Sequence, residues 1–218
     1  MQDINKEIVG LRQEYSQSQL TESDVCKNAL DQFNKWLEQA LKACVPEPHA
    51  MNLSTVSKEG KPSSRIVLLR GVENNGFVFY TNYQSHKGTD LNANRFACLN
   101  FFWQALERQV RIEGIIEKND LKTATEYFHS RPRESQIGAW ASTQSKVINS
   151  RKDIEDAFQY YQDKFKDTPL IPKPECWGGF VLYPETIEFW QGRPSRLHDR
   201  IRYSKLSNNE WKIERLSP

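Results

Sequence analysis

"MNLSTVSKEGKPSSRIVLLRGVENNGFVFYTN", Met51 to Asn82, is the stretch whose reading decides the fold. It holds three strand-like runs, "MNLSTVS", "SSRIVLLR" and "GFVFYTN", separated only by the turn signals "KEGKP" and "ENNG". Parallel neighbours need a crossover of a dozen residues or more, and no such length is available here, so these strands pair antiparallel. Downstream, "SHKGTDLNAN" is a short helix, and "RFACLNFFW" and "ERQVRIEGIIEK" are further strands. "LKTATEYFHS" is a helix closed by Pro132, "IGAWASTQSK" is helix-like, and a longer helix covers about 150–165. Strands return from Trp177 after the proline-rich "DTPLIPKPE". Upstream, Ile4, Ile8 and Leu11 mark a helix to about Tyr15, and "NALDQFNKWLEQALKA" carries a stripe of Leu30, Phe33, Leu37, Ala40 and Leu41 before Pro46 and Pro48 stop it. The expected class is mostly β with added helices, built as an antiparallel barrel or sandwich.

The chain has 218 residues, enough to bury a real core. Its 30 Lys and Arg against 28 Asp and Glu, a net +2, exclude the basic excess of a nucleic-acid coat. Cys26, Cys44, Cys98 and Cys176 show no metal-ligand spacing and are expected as free thiols; no metal site is expected. No apolar run is long enough for a membrane span and the N-terminus lacks a secretory pattern, so the expectation is a cytoplasmic protein without membrane or nucleic-acid partners.

Several stretches gather groups suited to an anion. Alternation along "SSRIVLLR" puts Arg65, Val67 and Leu69 on one face and Ile66, Leu68 and Arg70 on the other, where either arginine is a ligand group or simply snorkels. In "YTNYQSHKGTD", Tyr80, Thr81, Ser85, His86 and Lys87 precede a helix start whose unpaired N–H groups suit a phosphate, although capping by Ser85 accounts for part of the pattern. Tyr127 and Arg131 lie four apart at a helix end with Ser135 in the next turn, either a phosphate clamp or a cation satisfying a helix C-terminus. Gln144 and Ser145 add neutral hydrogen-bonding groups, and Gln109 needs a partner within its strand. "FWQGRPSRLHDR", Phe189 to Arg200, concentrates Arg193, Arg196, His198 and Arg200 between two strands, as a solvated basic loop or an anion site. Dinucleotide, nucleotide-triphosphate, zinc-protease and serine-hydrolase signatures are absent, and His49 and His129 are expected to be structural. Separate anion-capable groups without catalytic carboxylates fit a phosphorylated cofactor that itself carries redox chemistry on a phosphorylated substrate.

Taken in order, "RIVLLR", "FYTN", "SHKG", "ERQVRIEG", "YFHSRPRESQIGAW", "QS", "WGGF", "IEFWQG" and "RLHDR" resemble the pyridoxamine 5'-phosphate oxidase family over nearly the whole chain. The resemblance implies an FMN-binding split β-barrel at 49–218 with a helical insertion at about 120–166, preceded by a helical segment and substrate lid at 1–48. It implies a homodimer with flavin at the subunit interface, oxidising pyridoxamine or pyridoxine 5'-phosphate with dioxygen. FMN binding would fall on Arg65, Ile66, Val67, Leu68, Leu69, Arg70, Tyr80, Thr81, His86, Lys87, Gln109, Gln144, Ser145, Trp190 and Arg200. Substrate phosphate would meet Tyr127, Arg131 and Ser135, with Arg70 beside them. Arg196, Leu197 and His198 would lie near the substrate ring, with Arg196 and His198 as the catalytic pair. Arg12, Gln13, Glu14 and Tyr15 would close over the substrate, whereas Arg193 has no counterpart and is expected to be solvated.

Two positions depart from the family's commonest pattern. Arg70 stands where lysine is usual, which turns a point charge into a planar fork. His86 stands for an arginine and would be mostly neutral at pH 7 unless a phosphate raises its pKa. The alternatives are another split-barrel flavin or deazaflavin reductase, and a non-catalytic binder of flavin or pyridoxal phosphate.

Overall fold

A computed structural model of the chain describes residues 4–11 and 14–218. In chain order its elements are α1 (Ile4–Gly10), α2 (Ala29–Lys42), β1 (Ala50–Val56), β2 (Pro62–Leu68), β3 (Gly71–Glu73), β4 (Gly76–Asn82), α3 (His86–Ala93), β5 (Phe96–Trp103) and β6 (Arg108–Lys118). They continue with α4 (Leu121–Ser130), α5 (Arg133–Ala141), α6 (Arg151–Lys164), β7 (Trp177–Gln191), β8 (Asp199–Lys205) and β9 (Trp211–Leu216). The strands form one sheet in the order β2-β1-β5-β6-β7-β4-β3, with β8 on β7 and β9 on β8. The chain divides into two compact units, one of 1–48, 100–112 and 186–218, the other of 49–99 and 113–185.

In the second unit, the stretch from Met51 to Asn82 folds as its turns dictate. β1 and β2 pair antiparallel from Ala50↔Leu68 to Val56↔Pro62, around a loop in which Gly60 has φ +80. β3 and β4 close at Glu73↔Gly76, leaving the two-residue loop Asn74–Asn75 with φ of 51 and 64. Two consecutive positive φ values match the right-handed twist of a hairpin, and asparagine tolerates them. Alternation buries Met51, Leu53 and Thr55 on one face of β1. β2 ends at Leu68, yet burial keeps to the expected faces beyond it: Arg65 and Val67 are half-buried and Leu69 buried, while Ile66 and Arg70 are exposed. β2 is also the edge strand of the sheet, so one row of its backbone N–H and C=O groups lacks a neighbouring strand.

α3 begins on Ser85, whose hydroxyl accepts from the Gly88 N–H and donates to the Asn82 carbonyl at 2.7 Å, as the capping reading expected. Gly88 lies so close to the preceding loop that an added Cβ would sit 2.3 Å from the Tyr83 carbonyl oxygen. Phe128, Ile137, Phe165, Ile171 and Trp177 make a cluster that joins α4, α5 and the end of α6 to the start of β7.

In the first unit, α2 buries Leu30, Phe33, Trp36 and Ala40. Phe33 meets Phe101 at 5.1 Å, and Trp36 meets Phe189 edge-on at 5.2 Å. Full burial of each such side chain contributes about 1.5–3 kcal/mol. The expected stripe drifts: Leu41 is exposed, because the buried line runs through Phe33, Trp36 and Ala40 at helical spacing. α1 ends at Gly10, not near Tyr15, and α5 ends at Ala141, so Gln144 and Ser145 occupy a turn rather than a helix.

Replacing Gly88 by alanine forces a Cβ into backbone that has no rotamer to yield, and should destabilise the fold by about 1–3 kcal/mol. Urea unfolding of Gly88→Ala beside wild type measures this; an unchanged midpoint would contradict the close approach.

Candidate functional site

A cavity of about 480 Å³ lies in the second unit, within the range typical of small-molecule sites. β2 contributes Ile66, Val67 and Leu68, followed by Arg70; β4 contributes Tyr80, Thr81 and Asn82; α3 contributes Lys87. The helical part supplies Tyr127, Arg131, Ser135, Gly138, Ala139, Ser142 and Gln144, and β7 begins there with Trp177.

Tyr80, Tyr127 and Trp177 form a near-parallel aromatic stack. Tyr80 is 3.9 Å from Tyr127 and 5.3 Å from Trp177, with interplanar angles of 13° and 6°. Burial, with the charge of Glu73 next, pushes the Tyr80 phenol up to about 12, so it stays protonated. The Arg131 guanidinium sits 4.7 Å over the Trp177 ring, a cation–π contact. Its Nη1 is buried without a hydrogen-bond partner. Burial disfavours its charge, Tyr127 supports it, and Arg70 opposes it.

Lys87 reaches across the same space. Its Nζ donates to Thr81 Oγ1 at 3.2 Å and to Gln144 Oε1 at 3.3 Å. Burial pulls its pKa down, and the charge of Arg65 pulls it further. Arg70, Lys87 and Arg131 therefore converge on a cavity lined by no carboxylate among the described residues. An orphaned buried N–H on one of three converging cations is an unbalanced arrangement that an anionic group would complete. FMN fits this donor set: Lys87 with Thr81 and Gln144 for a phosphate, and aromatic and apolar surface for a ring.

Of the expected residues, Ile66, Val67, Leu68, Arg70, Tyr80, Thr81, Lys87, Gln144, Tyr127, Arg131 and Ser135 meet here. Arg65 does not line the cavity: its guanidinium donates to Thr55 Oγ1 at 2.7 Å and Ser63 Oγ at 2.6 Å, and Asp90 lies 3.9 Å away. Arg65, expected among the FMN-binding residues, acts on Lys87 through its charge and not from the cavity lining. His86 is exposed, 3.9 Å from Asp90; Leu69 is in the core; Ser145 is exposed with φ 70. Arg133, adjacent in sequence to the clamp, instead donates to the Phe165 and Thr168 carbonyls. His129 bonds the Ile171 carbonyl at 3.1 Å, the structural role expected of it.

The first unit has its own cavity, about 1230 Å³, lined by Glu14, Tyr15, Gln104, Arg193, Ser195, Arg196 and His198 among others. Tyr15 meets Trp190 at 5.7 Å and His198 at 5.9 Å, both edge-on. Arg200, opposite Trp190 in the β7–β8 register, is held by Glu188 through two bonds of 2.8 and 3.1 Å, which raises its pKa. Leu197 is exposed, and Gln109 is half-buried on β6 away from this cavity's lining. Arg12 and Gln13 lie outside the described residues. Arg193 corrects the expectation of a solvated side chain: it donates to the Ser18 carbonyl at 3.2 Å and lies 3.6 Å from Asp199. Trp177 was not singled out for the site, although "WGGF" contains it; nothing periodic marks a ring that stacks on residues 50 and 97 positions away.

The model of the pyridoxamine 5'-phosphate oxidase family matches residues 37–165, and that of the pyridoxine 5'-phosphate oxidase C-terminal dimerisation region matches 177–218. A pyridoxine/pyridoxamine 5'-phosphate oxidase of Cytophaga hutchinsonii is 51% identical over 97% of this chain and 98% of its own. That of Bordetella pertussis is 52% identical over 95% and 98%. Among solved structures, PhzG from Burkholderia lata 383, in complex with tetrahydrophenazine-1-carboxylic acid, is similar with TM-score 0.86 at 26% identity, covering 93% of this chain and 100% of that one. A pyridoxamine 5'-phosphate oxidase-related, FMN binding protein from Nostoc punctiforme shares the fold with TM-score 0.68 at 17% identity, over 85% and 97%.

An anion that completes the cationic cavity should stabilise the folded chain, by about 2.7 kcal/mol at a hundredfold excess over its Kd. Thermal unfolding against inorganic phosphate is expected to show a rise in Tm that shrinks in Lys87→Met and in Arg131→Met. A rise of the same size in both variants would place the phosphate elsewhere.

Proposed function

The chain belongs to the pyridoxamine 5'-phosphate oxidase family, and on that premise we propose that it oxidises pyridoxamine or pyridoxine 5'-phosphate to pyridoxal 5'-phosphate with FMN and dioxygen. Hydrogen peroxide is the co-product; the amine route consumes water and releases ammonia. The observation that carries this reading is the carboxylate-free convergence of Arg70, Lys87 and Arg131, with Arg131 Nη1 buried and unpaired. The chemistry FMN supplies when bound is acceptance of two electrons and reoxidation by dioxygen.

The chain's own groups divide the binding work. Lys87, with Thr81 and Gln144 already on its ammonium, makes a compact site for the cofactor phosphate. The edge strand at Ile66, Val67 and Leu68 offers unpaired backbone groups for a heteroaromatic rim. Arg131 and the hydroxyls of Tyr127 and Ser135 take the substrate phosphate, with Arg70 facing them. Arg196 and His198 orient the substrate ring from their loop, and Trp190 and Arg200 serve the flavin; Glu188 fixes how Arg200 can point. Holding the reacting carbon in place is the main catalytic contribution asked of the protein. The dimerisation region at 177–218 supports a homodimer as the working form.

The decisive experiment is release of the cofactor by denaturation, its identification by mass, and oxygen uptake with pyridoxine 5'-phosphate. FAD, no flavin, or flavin without substrate-dependent oxygen uptake would each defeat the reading. Arg131→Ala should weaken binding of pyridoxal 5'-phosphate by about 1.5–3 kcal/mol, a lost charge-assisted contact, and weaken FMN binding far less. Equal losses for both ligands, titrated at fixed salt, would remove Arg131 from the substrate side.

A further inference from the structure

The loop between β7 and β8 holds His198, one of the expected catalytic pair, through a ring nitrogen. The backbone N–H of Arg193 donates to His198 Nδ1 at 3.1 Å. A backbone amide can only donate, so Nδ1 must carry a lone pair, and the neutral ring then carries its hydrogen on Nε2. Protonation of that ring can occur only at Nδ1, where the new N–H would face the Arg193 N–H. Gaining a proton therefore means expelling the amide.

That amide is not free to leave. The preceding residue is fixed by the Gly192 N–H bond to the Glu107 carbonyl at 2.8 Å, and Pro194 follows. The Arg193 guanidinium is held by the Ser18 carbonyl at 3.2 Å and by Asp199 at 3.6 Å. Leu197 N–H closes the turn onto the Pro194 carbonyl at 3.1 Å, with Ser195 and Arg196 both in the left-handed region at φ 56 and 60. Such backbone conformations persist only where surroundings over-determine them.

The groups around the ring also oppose a second proton. Trp190 packs on it at 4.6 Å and Tyr15 at 5.9 Å. Arg196 repels an imidazolium, and burial, the larger effect, acts in the same direction. Asp199 is engaged by the Leu20 N–H at 3.0 Å and Arg215 at 2.8 Å as well as by Arg193. Asp199 does not line this cavity, and Glu14 is the carboxylate that does among the described residues.

We propose that His198 works as a neutral hydrogen-bond donor through Nε2–H, its tautomer set by the Arg193 backbone amide, and that it is not the general base. Arg193 is thus a positioning residue, acting through its main chain. The substrate lone pair that accepts from Nε2–H belongs to the function proposed above, and on that point the inference rests on that reading.

The test separates the two. Long-range proton–nitrogen NMR of histidine-labelled holoenzyme, with His198 assigned by the signals missing in His198→Asn, should show a hydrogen on Nε2 and a bare Nδ1 between about pH 6 and 8. Arg193→Ala keeps the amide and should keep this pattern. A hydrogen on Nδ1, or an imidazolium at neutral pH, overturns the proposal. In single-turnover flavin reduction by pyridoxine 5'-phosphate, His198→Gln, which can donate but not take up a proton, should stay within about tenfold of wild type with the same pH profile. His198→Leu should be slower than His198→Gln. Equal slowing of both variants with loss of a pH limb would identify a base and overturn the proposal. Failure of wild type to reduce its flavin defeats the substrate reading instead, while the NMR result still decides the tautomer.

Discussion

Stacking of Tyr80, Tyr127 and Trp177 is the interaction on which the candidate cofactor site depends. The three rings come from β4, α4 and the start of β7, so one near-parallel stack ties the sheet to the helical segment. Phe128 and the cluster of Ile137, Phe165 and Ile171 back it with apolar contacts. The same stack gives Arg131 a ring face to lie on, so a guanidinium can be held half-buried before any anion arrives. Loss of the stack would cost both the wall of the cavity and the position of its cation.

Carboxylates are distributed so that some arginines are spent and others are kept. Asp90, buried at 3% exposure, faces Arg65 and accepts from Thr55 and Ser63. Glu188 takes Arg200, and Asp199 takes Arg215 with Arg193 nearby. None of these acids lines the cavity bordered by Arg70, Lys87 and Arg131. The paired arginines are fixed by internal carboxylates, whereas the cations of the cavity have none in its lining. Arg200 is the intermediate case, because a bidentate partner fixes its direction while Nη1 reaches the Ser217 carbonyl. The tautomer lock on His198 follows the same logic with a backbone group in place of a carboxylate.

What the sequence determined was local. Alternation over Met51–Val56, the paired asparagines of "ENNG", Ser85 before a helix and Pro132 after one each prescribe backbone conformation within a few residues, and each is found in place. The motif order identified the family, and the Tyr127, Arg131 and Ser135 spacing was legible because it spans one helix end and the next turn. Tertiary structure decided which of several equivalent charges line a cavity. Arg65, Arg133 and Arg193 resemble Arg70, Arg131 and Arg196 in sequence, yet the first three are engaged by Asp90, the Phe165 and Thr168 carbonyls, and Ser18 with Asp199. Apart from Asp199, which lies in the same loop region as Arg193, those partners are 25 to 175 positions away, a separation with no periodic or turn-encoded trace. Trp177 stayed unmarked for the same reason: its role comes from the planes of two rings that only packing brings parallel.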